Sequence, residues 1–308
     1  MLLQKGEREF GMKSRASLLA AILVLAIVPT LSQAEIKIGM LAQRGPDKAV
    51  QEWGGLAELL TEKMGDKVTI VPLAFSEFMD FCDTDRSGFI FTNPWFYVRA
   101  KVLKTAKALV TVKYRGSGNM MGGVIFAARD SGISHIDDLR GKVVMVPKLS
   151  SPGGWLFEKG EIVKQGVNPE KDFKRLVESE KESHDQVVMA VKEGKADVGT
   201  VRTNILETMQ REGKISIQDF VIINKMNHEG FPELCSTPLY PDWPVASLRD
   251  TRPDLSARMK EALLTIPPGH PALEQARKLE RFVDALDYRP MEELCRFLKV
   301  PPFARGGK

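Results

Sequence analysis

The segment DDLRGKVVMVPKLSSPGGW at positions 137–155 has the pattern of a buried strand that leads through a loop of small residues into a helix. Ser151 suits the N-cap of that helix, and Pro152 suits its first position. The amides of Gly153 and Gly154 would then lie free at the helix start, where the helix dipole favours negative charge. The segment therefore predicts either an anion site or a plain capping loop without a ligand.

Strand and helix patterns alternate on both sides of this segment. Strand-like runs at 36–41 and 68–73 flank a helix-like stretch at 50–64, and a helix at 186–192 precedes a strand at 196–201. Such alternation is typical of parallel sheets covered by helices on both faces, so we expect two α/β lobes. Toward the C-terminus the pattern predicts helices over 255–264, 272–286 and 291–298.

The first 34 residues have the pattern of a secretory signal. Lys13 and Arg15 precede an apolar run at 16–31, and small residues follow up to Ala34. The run is shorter than the about 20 apolar residues that a transmembrane helix needs. We expect cleavage after Ala34 and export to the periplasm, with an uncleaved anchor as the alternative.

The composition excludes several classes of protein. The 308 residues carry a formal net charge of only +4, too small for a nucleic-acid binder. Three scattered cysteines make neither a disulfide scaffold nor a CxxC zinc site. Nucleophile-elbow, HExxH, P-loop and GxGxxG motifs are absent from the sequence, so we expect no enzyme, no metal and no cofactor. A dyad of Ser150 or Ser151 with His184 is the remaining catalytic alternative.

Four segments carry a resemblance to a known family. They are DLRGK at 138–142, SSPGG at 150–154, SHD at 183–185, and GKADVG at 194–199. Together they resemble the phosphonate-binding family of periplasmic solute-binding proteins, over essentially the whole chain after residue 34. The resemblance implies the type II periplasmic binding fold, an α/β architecture of two lobes joined by a two-crossing hinge.

The resemblance also implies that the serine-rich loop grips an oxyanion from the second lobe. The ligand groups would be the hydroxyls of Ser150 and Ser151, the amides of Gly153 and Gly154, and the ring of His184. A protonated histidine there would make anion affinity rise as the pH falls. A purely structural role at the helix start is the alternative for His184.

From the first lobe, the family closes over its ligand with a Gly-Pro-x-x-Tyr segment. Here it reads NPWFY at 93–97, so Tyr97 matches the pattern and Asn93 departs from it. Arg44 follows the first strand and could present its planar fork to an oxyanion. Phe75 stands where the family often has a tyrosine. A core position for Tyr97 and a solvated one for Arg44 are the alternatives.

Two further observations extend the candidate site and its possible role. Arg202 and Thr203 follow the strand at 196–201, so they lie either in the pocket or at a surface helix start. The segment CSTPLYPDWP at 235–244 and the QRG at 43–45 are similar to periplasmic domains of tetrathionate-type sensor kinases. Those relatives report a ligand to a kinase instead of feeding a transporter.

We therefore expect a monomeric periplasmic protein that binds a small phosphonate-, phosphite- or phosphate-like oxyanion for the membrane permease of an ABC transporter. The alternative is a subunit that signals an oxyanion to a sensor histidine kinase. Lobe one would comprise residues 35–117 and 224–308, and lobe two residues 118–223. The ligand would stabilise the closed state by touching both lobes at once.

Overall fold

The computed structural model describes residues 35–42, 45–276 and 279–304. The expected signal at 1–34 and the candidate residue Arg44 lie outside this part of the chain. Within it, no helix is long and apolar enough to cross a membrane. The strands are β1 (Ile36–Leu41), β2 (Val68–Leu73), β3 (Phe89–Phe91), β4 (Lys107–Tyr114), β5 (Met120–Met121), β6 (Gly123–Ala128), β7 (Val143–Val146), β8 (Arg175–Glu178), β9 (Val198–Arg202), β10 (Phe220–Ile223), β11 (Tyr240–Pro241), β12 (Pro244–Ser247) and β13 (Leu279–Asp284).

Helices connect most of these strands, and many begin with proline in their first turn, a favourable place for it. The α-helices are α1 (Pro46–Met64), α2 (Phe78–Thr84), α3 (Pro94–Lys104), α4 (Phe157–Lys164), α5 (Pro169–Asp172), α6 (His184–Lys192), α7 (Ile205–Arg211), α8 (Pro253–Leu264), α9 (Pro271–Gln275) and α10 (Arg289–Leu298). A π-helical turn, Pro152–Leu156, leads directly into α4.

The first sheet has six strands and takes them from both ends of the described chain. Its order is β13-β4-β12-β3-β1-β2. Strand β1 runs parallel to β2 and β3, whereas β12 pairs antiparallel with β3 and β4. All three residues of β3 are almost fully buried, as expected for a strand covered on both faces.

The second sheet has five strands from the middle of the chain, in the order β10-β6-β9-β7-β8. Strand β7 runs parallel to β8 and β9, while β6 pairs antiparallel with β9 and β10. Both sheets are therefore mixed: the expected parallel pairs are present, and antiparallel strands that were not expected extend them. The parallel strands are nevertheless those that lead into the loops of the candidate site.

The helix expected at 272–286 is not formed. The structure has only the short helix α9, and β13 follows it. Strand β13 pairs antiparallel with β4, and this pairing buries Leu279 and Phe282. Strand β4 lies far from this segment in the sequence, so a local pattern cannot reveal the pairing. Tertiary pairing therefore overrides the local helical pattern.

The two sheets are joined by chain crossings that pack tightly on each other. Strands β5 and β11 pair, and the amide of Ser236 donates to the carbonyl of Gly123 at 2.7 Å. A Cβ atom on Gly122 would lie 2.5 Å from Cys235 Sγ, so only glycine permits this approach. The fully buried carboxyl of Glu158, whose pKa is raised by burial, lies against Gly123.

Candidate functional site

A cavity of about 610 Å³ lies where the loops after the parallel strands of the two sheets meet. From the six-stranded sheet it is lined by residues that follow β1 and β2 and by the first turns of α3. From the five-stranded sheet it is lined by residues that follow β7 and β8. The carboxyl ends of strands in open α/β sheets are the usual place for ligands.

Ser150 is the candidate residue that the structure brings most directly to this cavity. It follows β7 and lines the cavity wall. Its Oγ is buried and has no hydrogen-bond partner among the described residues. A buried hydroxyl without a partner is costly unless a ligand or a water satisfies it. Phe75 lines the same cavity from the loop after β2.

Ser151 occupies the N-cap position that the sequence predicts, but its hydroxyl makes no capping bond. The helix begins instead with a π-turn, in which the amide of Leu156 donates to the carbonyl of Ser151 at 3.1 Å. The amides of Gly153 and Gly154 precede this first bonded donor. A π-turn in place of an ordinary first turn is a frequent feature of functional sites.

Gly154 allows Ser151 and His184 to approach each other. A Cβ atom at position 154 would lie 2.8 Å from Ser151 Oγ and 2.9 Å from His184 Cε1. On the neighbouring position, a Cβ on Gly153 would lie 2.6 Å from Met121 Cε, at the crossing between the sheets. The two glycines thus let the helix start pack against both the crossing and the histidine.

His184 is a neutral imidazole in this arrangement. Its Nδ1 accepts a bond of 3.4 Å from the amide of Arg202, so its Nε2 carries the hydrogen. Part of the residue reaches solvent, yet protein surrounds the ring, and this burial, aided by the charge of Arg202, lowers the pKa of His184 to about 3. Without a bound anion, His184 therefore offers a neutral Nε2 donor near neutral pH, and the expected rise in anion affinity through its protonation stays a prediction.

Arg202 and Thr203 stand at the end of β9, as the sequence predicts, but they are not part of the described cavity lining. Thr203 is buried, and its amide donates to the carbonyl of Gly122 at 3.1 Å. Its Oγ1 accepts from the amide of Gly122 at 3.4 Å. Thr203 thus fixes the end of β9 to the crossing between the sheets.

The structure places Tyr97 in the core instead of at the cavity. Its hydroxyl accepts a bond of 3.1 Å from the amide of Ala108, and its ring packs edge-on against Tyr288 at 4.7 Å. Burial raises the pKa of Tyr97, so the hydroxyl stays protonated. This hydroxyl is held inside the first lobe, because α3 turns its ring toward β4 and α10.

Asn93 acts as the N-cap of α3, and this structural role uses one of its two polar side-chain atoms. Its Oδ1 accepts from the amide of Phe96 at 3.0 Å. Its Nδ2 is buried and has no partner among the described residues, and the same holds for Oγ1 of Thr92. Neither residue belongs to the described cavity lining, although both lie at the carboxyl end of β3.

Arg99 is a cavity residue that the sequence reasoning missed. It lies on α3, two positions beyond Tyr97, and lines the cavity. Its Cζ lies 5.1 Å from the ring centroids of both Trp95 and Phe96. The one signal in the sequence was helical spacing, since positions 95, 96 and 99 share a helix face.

Residues 38–288 match the family described as the phosphonate periplasmic substrate-binding protein of ABC transporters. The chain belongs to this phosphonate-binding family. The resemblance read from the four sequence segments is thereby confirmed, and so is the expected α/β fold of the type II periplasmic binding proteins. The members of the family are periplasmic components that bind a solute and work with an ABC transporter.

Solved structures of the phosphonate-binding family share this fold. A binding protein component of an ABC phosphonate transporter from Pseudomonas aeruginosa superposes with a TM-score of 0.68 at 15% identity, covering 86% of each chain. A Prochlorococcus marinus protein in complex with methylphosphonate gives a TM-score of 0.67 at 16% identity, over 86% of this chain and 98% of that one. At such identities the likeness concerns the fold alone.

The tetrathionate sensor histidine kinase of Salmonella typhimurium is a curated relative of this chain. It is 31% identical over 235 residues, which cover 75% of this chain. The matched part is only 39% of the kinase, so this chain spans about two fifths of that protein's length. The similarity to tetrathionate-type sensor kinases that the sequence suggested is confirmed.

Proposed function

We propose that this chain is a monomeric periplasmic solute-binding protein that captures a small phosphonate-, phosphite- or phosphate-like oxyanion for an ABC permease. Its lobes would be residues 35–117 with 224–308, and residues 118–223, with the hinge at the two crossings. The observation that carries the proposal is Ser150, whose partnerless hydroxyl lies at the wall of the cavity between the two sheets.

The second lobe would hold the anion through hydrogen-bond donors. In this proposal Ser150 donates its hydroxyl hydrogen, and the amides of Gly153 and Gly154 supply the positive end of the helix dipole. Ser151 and the Nε2 hydrogen of His184 would complete the group on lobe closure.

From the first lobe, Arg44 and Phe75 would close over the ligand. Phe75 already lines the cavity and packs edge-on against Phe96, with ring centroids 5.7 Å apart. The structure does not describe Arg44, but Gly45 beside it lines the cavity. Contact with both lobes would stabilise the closed state, because the ligand would bind the closed state more tightly than the open one.

Catalysis is not part of the proposal. A serine nucleophile needs a base that can take its proton, and a histidine with a pKa of about 3 is too weak a base near neutral pH. Among the described residues, no group of three His, Cys, Asp or Glu side chains could hold a metal ion. The arrangement is suited to reversible anion binding.

The match to the tetrathionate sensor kinase supports a second candidate role, in which the closed protein signals to a histidine kinase. Both roles use the same binding event and differ in the membrane protein that receives the closed form. Uptake of labelled methylphosphonate that depends on this gene would support transport. Oxyanion-dependent gene expression that depends on it, without uptake, would support sensing.

The binding test is a thermal-shift series with phosphate, phosphite, methylphosphonate, sulfate, thiosulfate and tetrathionate. An oxyanion at about 100 times its dissociation constant adds about 2.7 kcal/mol to the free energy of unfolding. We expect such a shift for at least one anion, and at least about tenfold weaker binding in Ser150→Ala, since a hydrogen bond to a charged group contributes about 1.5–3 kcal/mol. Ser256→Ala, on α8, is the control. No shift with any of the six anions would contradict the proposal.

A further inference from the structure

Arg99 carries a charge that the described protein leaves unpaired. Its guanidinium is half-buried, its Nε is buried without a hydrogen-bond partner, and no carboxylate in residues 35–42, 45–276 and 279–304 forms an ion pair with it. Burial lowers the pKa of Arg99 from its usual value, although the group stays charged at neutral pH. A partly buried cation without a counter-ion is unfavourable, so this position calls for an anion.

The other two cations on α3 both form ion pairs with carboxylates of neighbouring helices. Lys101 pairs with Glu292 of α10, and Lys104 pairs with Asp83 of α2. Arg99 alone among the three side chains faces the cavity. Its isolation from carboxylates is therefore a local property of the cavity wall and not of α3 as a whole.

The guanidinium is also fixed in place. It lies 5.1 Å from the ring centroids of both Trp95 and Phe96, a distance typical of cation–π contacts. Contact with both rings restrains the guanidinium beside the cavity that Arg99 lines. An arginine held in this way is preorganised to give two parallel hydrogen bonds to an oxyanion.

The remainder of the cavity wall is polar and charged on one side and carries aromatic residues on the other. Across from α3, Ser150 contributes its partnerless hydroxyl, and Lys148 and Lys181 contribute charge that the carboxylate of Glu182 offsets only in part. On the side of Arg99 the aromatic residues are Phe75, which is partly exposed, and Trp95 and Phe96, which are only 8% and 2% exposed. The indole N–H of Trp95 already donates to the carbonyl of Pro301 at 2.8 Å, so this side chain has only apolar surface left to offer.

We infer that Arg99 anchors the charged head of the ligand from the first lobe, and that the ligand is an organic anion whose flat apolar body lies against Phe75. The inference rests on the proposed function and narrows its substrate class. A bare inorganic oxyanion would leave the ring of Phe75 without a contact. The cavity of about 610 Å³ lies in the range of about 300–1,000 Å³ that is usual for organic ligands.

The test is calorimetric titration of the whole chain with phenylphosphonate and methylphosphonate, which share a head group and differ in the apolar body. We expect phenylphosphonate to bind at least about tenfold more tightly, because its ring buries additional apolar surface. Arg99→Gln should weaken the binding of both probes by at least about tenfold, since it removes a charge-assisted contact. Phe75→Ala should reduce the preference for the phenyl compound.

Lys104→Gln is the matched control, because this residue is a cation of the same helix outside the cavity, and we expect it to leave both affinities unchanged. If Arg99→Gln does not fold, as judged by circular dichroism, Arg99→Lys decides instead. It keeps the charge but loses the planar fork, so it should still bind more weakly than the native chain. Native binding that persists in the Arg99 variant would overturn the anchor, and equal affinity for the two probes would overturn the apolar body. Failure of both probes to bind a native chain that gives a thermal shift with another of the six anions would also overturn the inference, whereas failure of both probes together with no shift in the whole series would count against the proposed function itself.

Discussion

At the scale of single residues, the site depends on groups whose protonation is set by burial. His184 is the clearest case, because it is neutral in the folded protein and ionisable in the unfolded chain. The pKa of its ring is about 3 when folded, compared with an ordinary value near 6.5. The unfolded state therefore binds a proton below about pH 6.5 that the folded state does not bind until about pH 3.

This difference predicts that His184 lowers the stability of the protein as the pH falls from about 6.5 towards 3. Its contribution to the loss is up to about 1.4 kcal/mol per pH unit. His184→Gln should flatten this part of the curve, measured as melting temperature from pH 7.5 to 4.5. Glu158, whose pKa is raised by burial, gives the opposite slope, so the comparison is between native chain and variant at equal pH. Parallel curves for the two proteins would show that His184 is not buried as described.

Individual site residues were harder to predict from the sequence than helices and strands. Ser150 could be singled out because hydroxyls beside glycines at a helix start have a local chemical meaning. Arg99 could not, since its isolation depends on which carboxylates other elements bring nearby. Tyr97 could not be placed either, because its hydroxyl on α3 accepts its hydrogen bond from the amide of Ala108 on β4.

At the scale of elements, the start of the helix after β7 is the part on which binding depends most. Its close packing requires glycine, since a Cβ on Gly154 would come closer to the ring of Pro147 than real Cβ contacts allow. The helix start would have to move away from His184 to make room for a Cβ atom at position 154. The position thus couples local backbone geometry to the arrangement of the proposed donors.

Gly154→Ala should therefore destabilise the protein by about 1–3 kcal/mol and weaken anion binding as well. Gly54→Ala is the matched control, because it lies within α1 and a Cβ there meets no atom within 4 Å. That change should stabilise the protein by up to about 1 kcal/mol, as alanine favours helix over glycine. Chemical denaturation of both variants checks the opposite signs, and a neutral Gly154→Ala would refute the packing described here.

Elements were predictable where their signal is local. The strand–loop–helix segment at 137–155 and the alternation around it follow from hydrophobic periodicity and helix-capping chemistry. The segment 279–284 was misread as helix, because its antiparallel partner β4 lies about 170 positions earlier in the chain. Mixed sheets escaped prediction for the same reason, since strand direction is decided by connections that span the whole domain.

At the scale of the whole molecule, the proposed function requires two lobes that close over an anion. In the proposed function the two crossings between the sheets, which pack together around Gly122 and Cys235, would form the hinge. Ser150 lines the cavity from the five-stranded sheet, and Phe75 and Arg99 line it from the side of the six-stranded sheet. A ligand that contacts both sides shifts the equilibrium toward closure by the difference in its affinity for the two states.

Small-angle scattering measures lobe closure, with each oxyanion of the thermal-shift series added in turn to the native chain and to the Ser150→Ala, Ser151→Ala double variant. We predict that at least one anion lowers the radius of gyration of the native protein and leaves that of the double variant unchanged. An unchanged radius in the native chain with every anion, or equal compaction in the variant, would contradict closure around the serine loop.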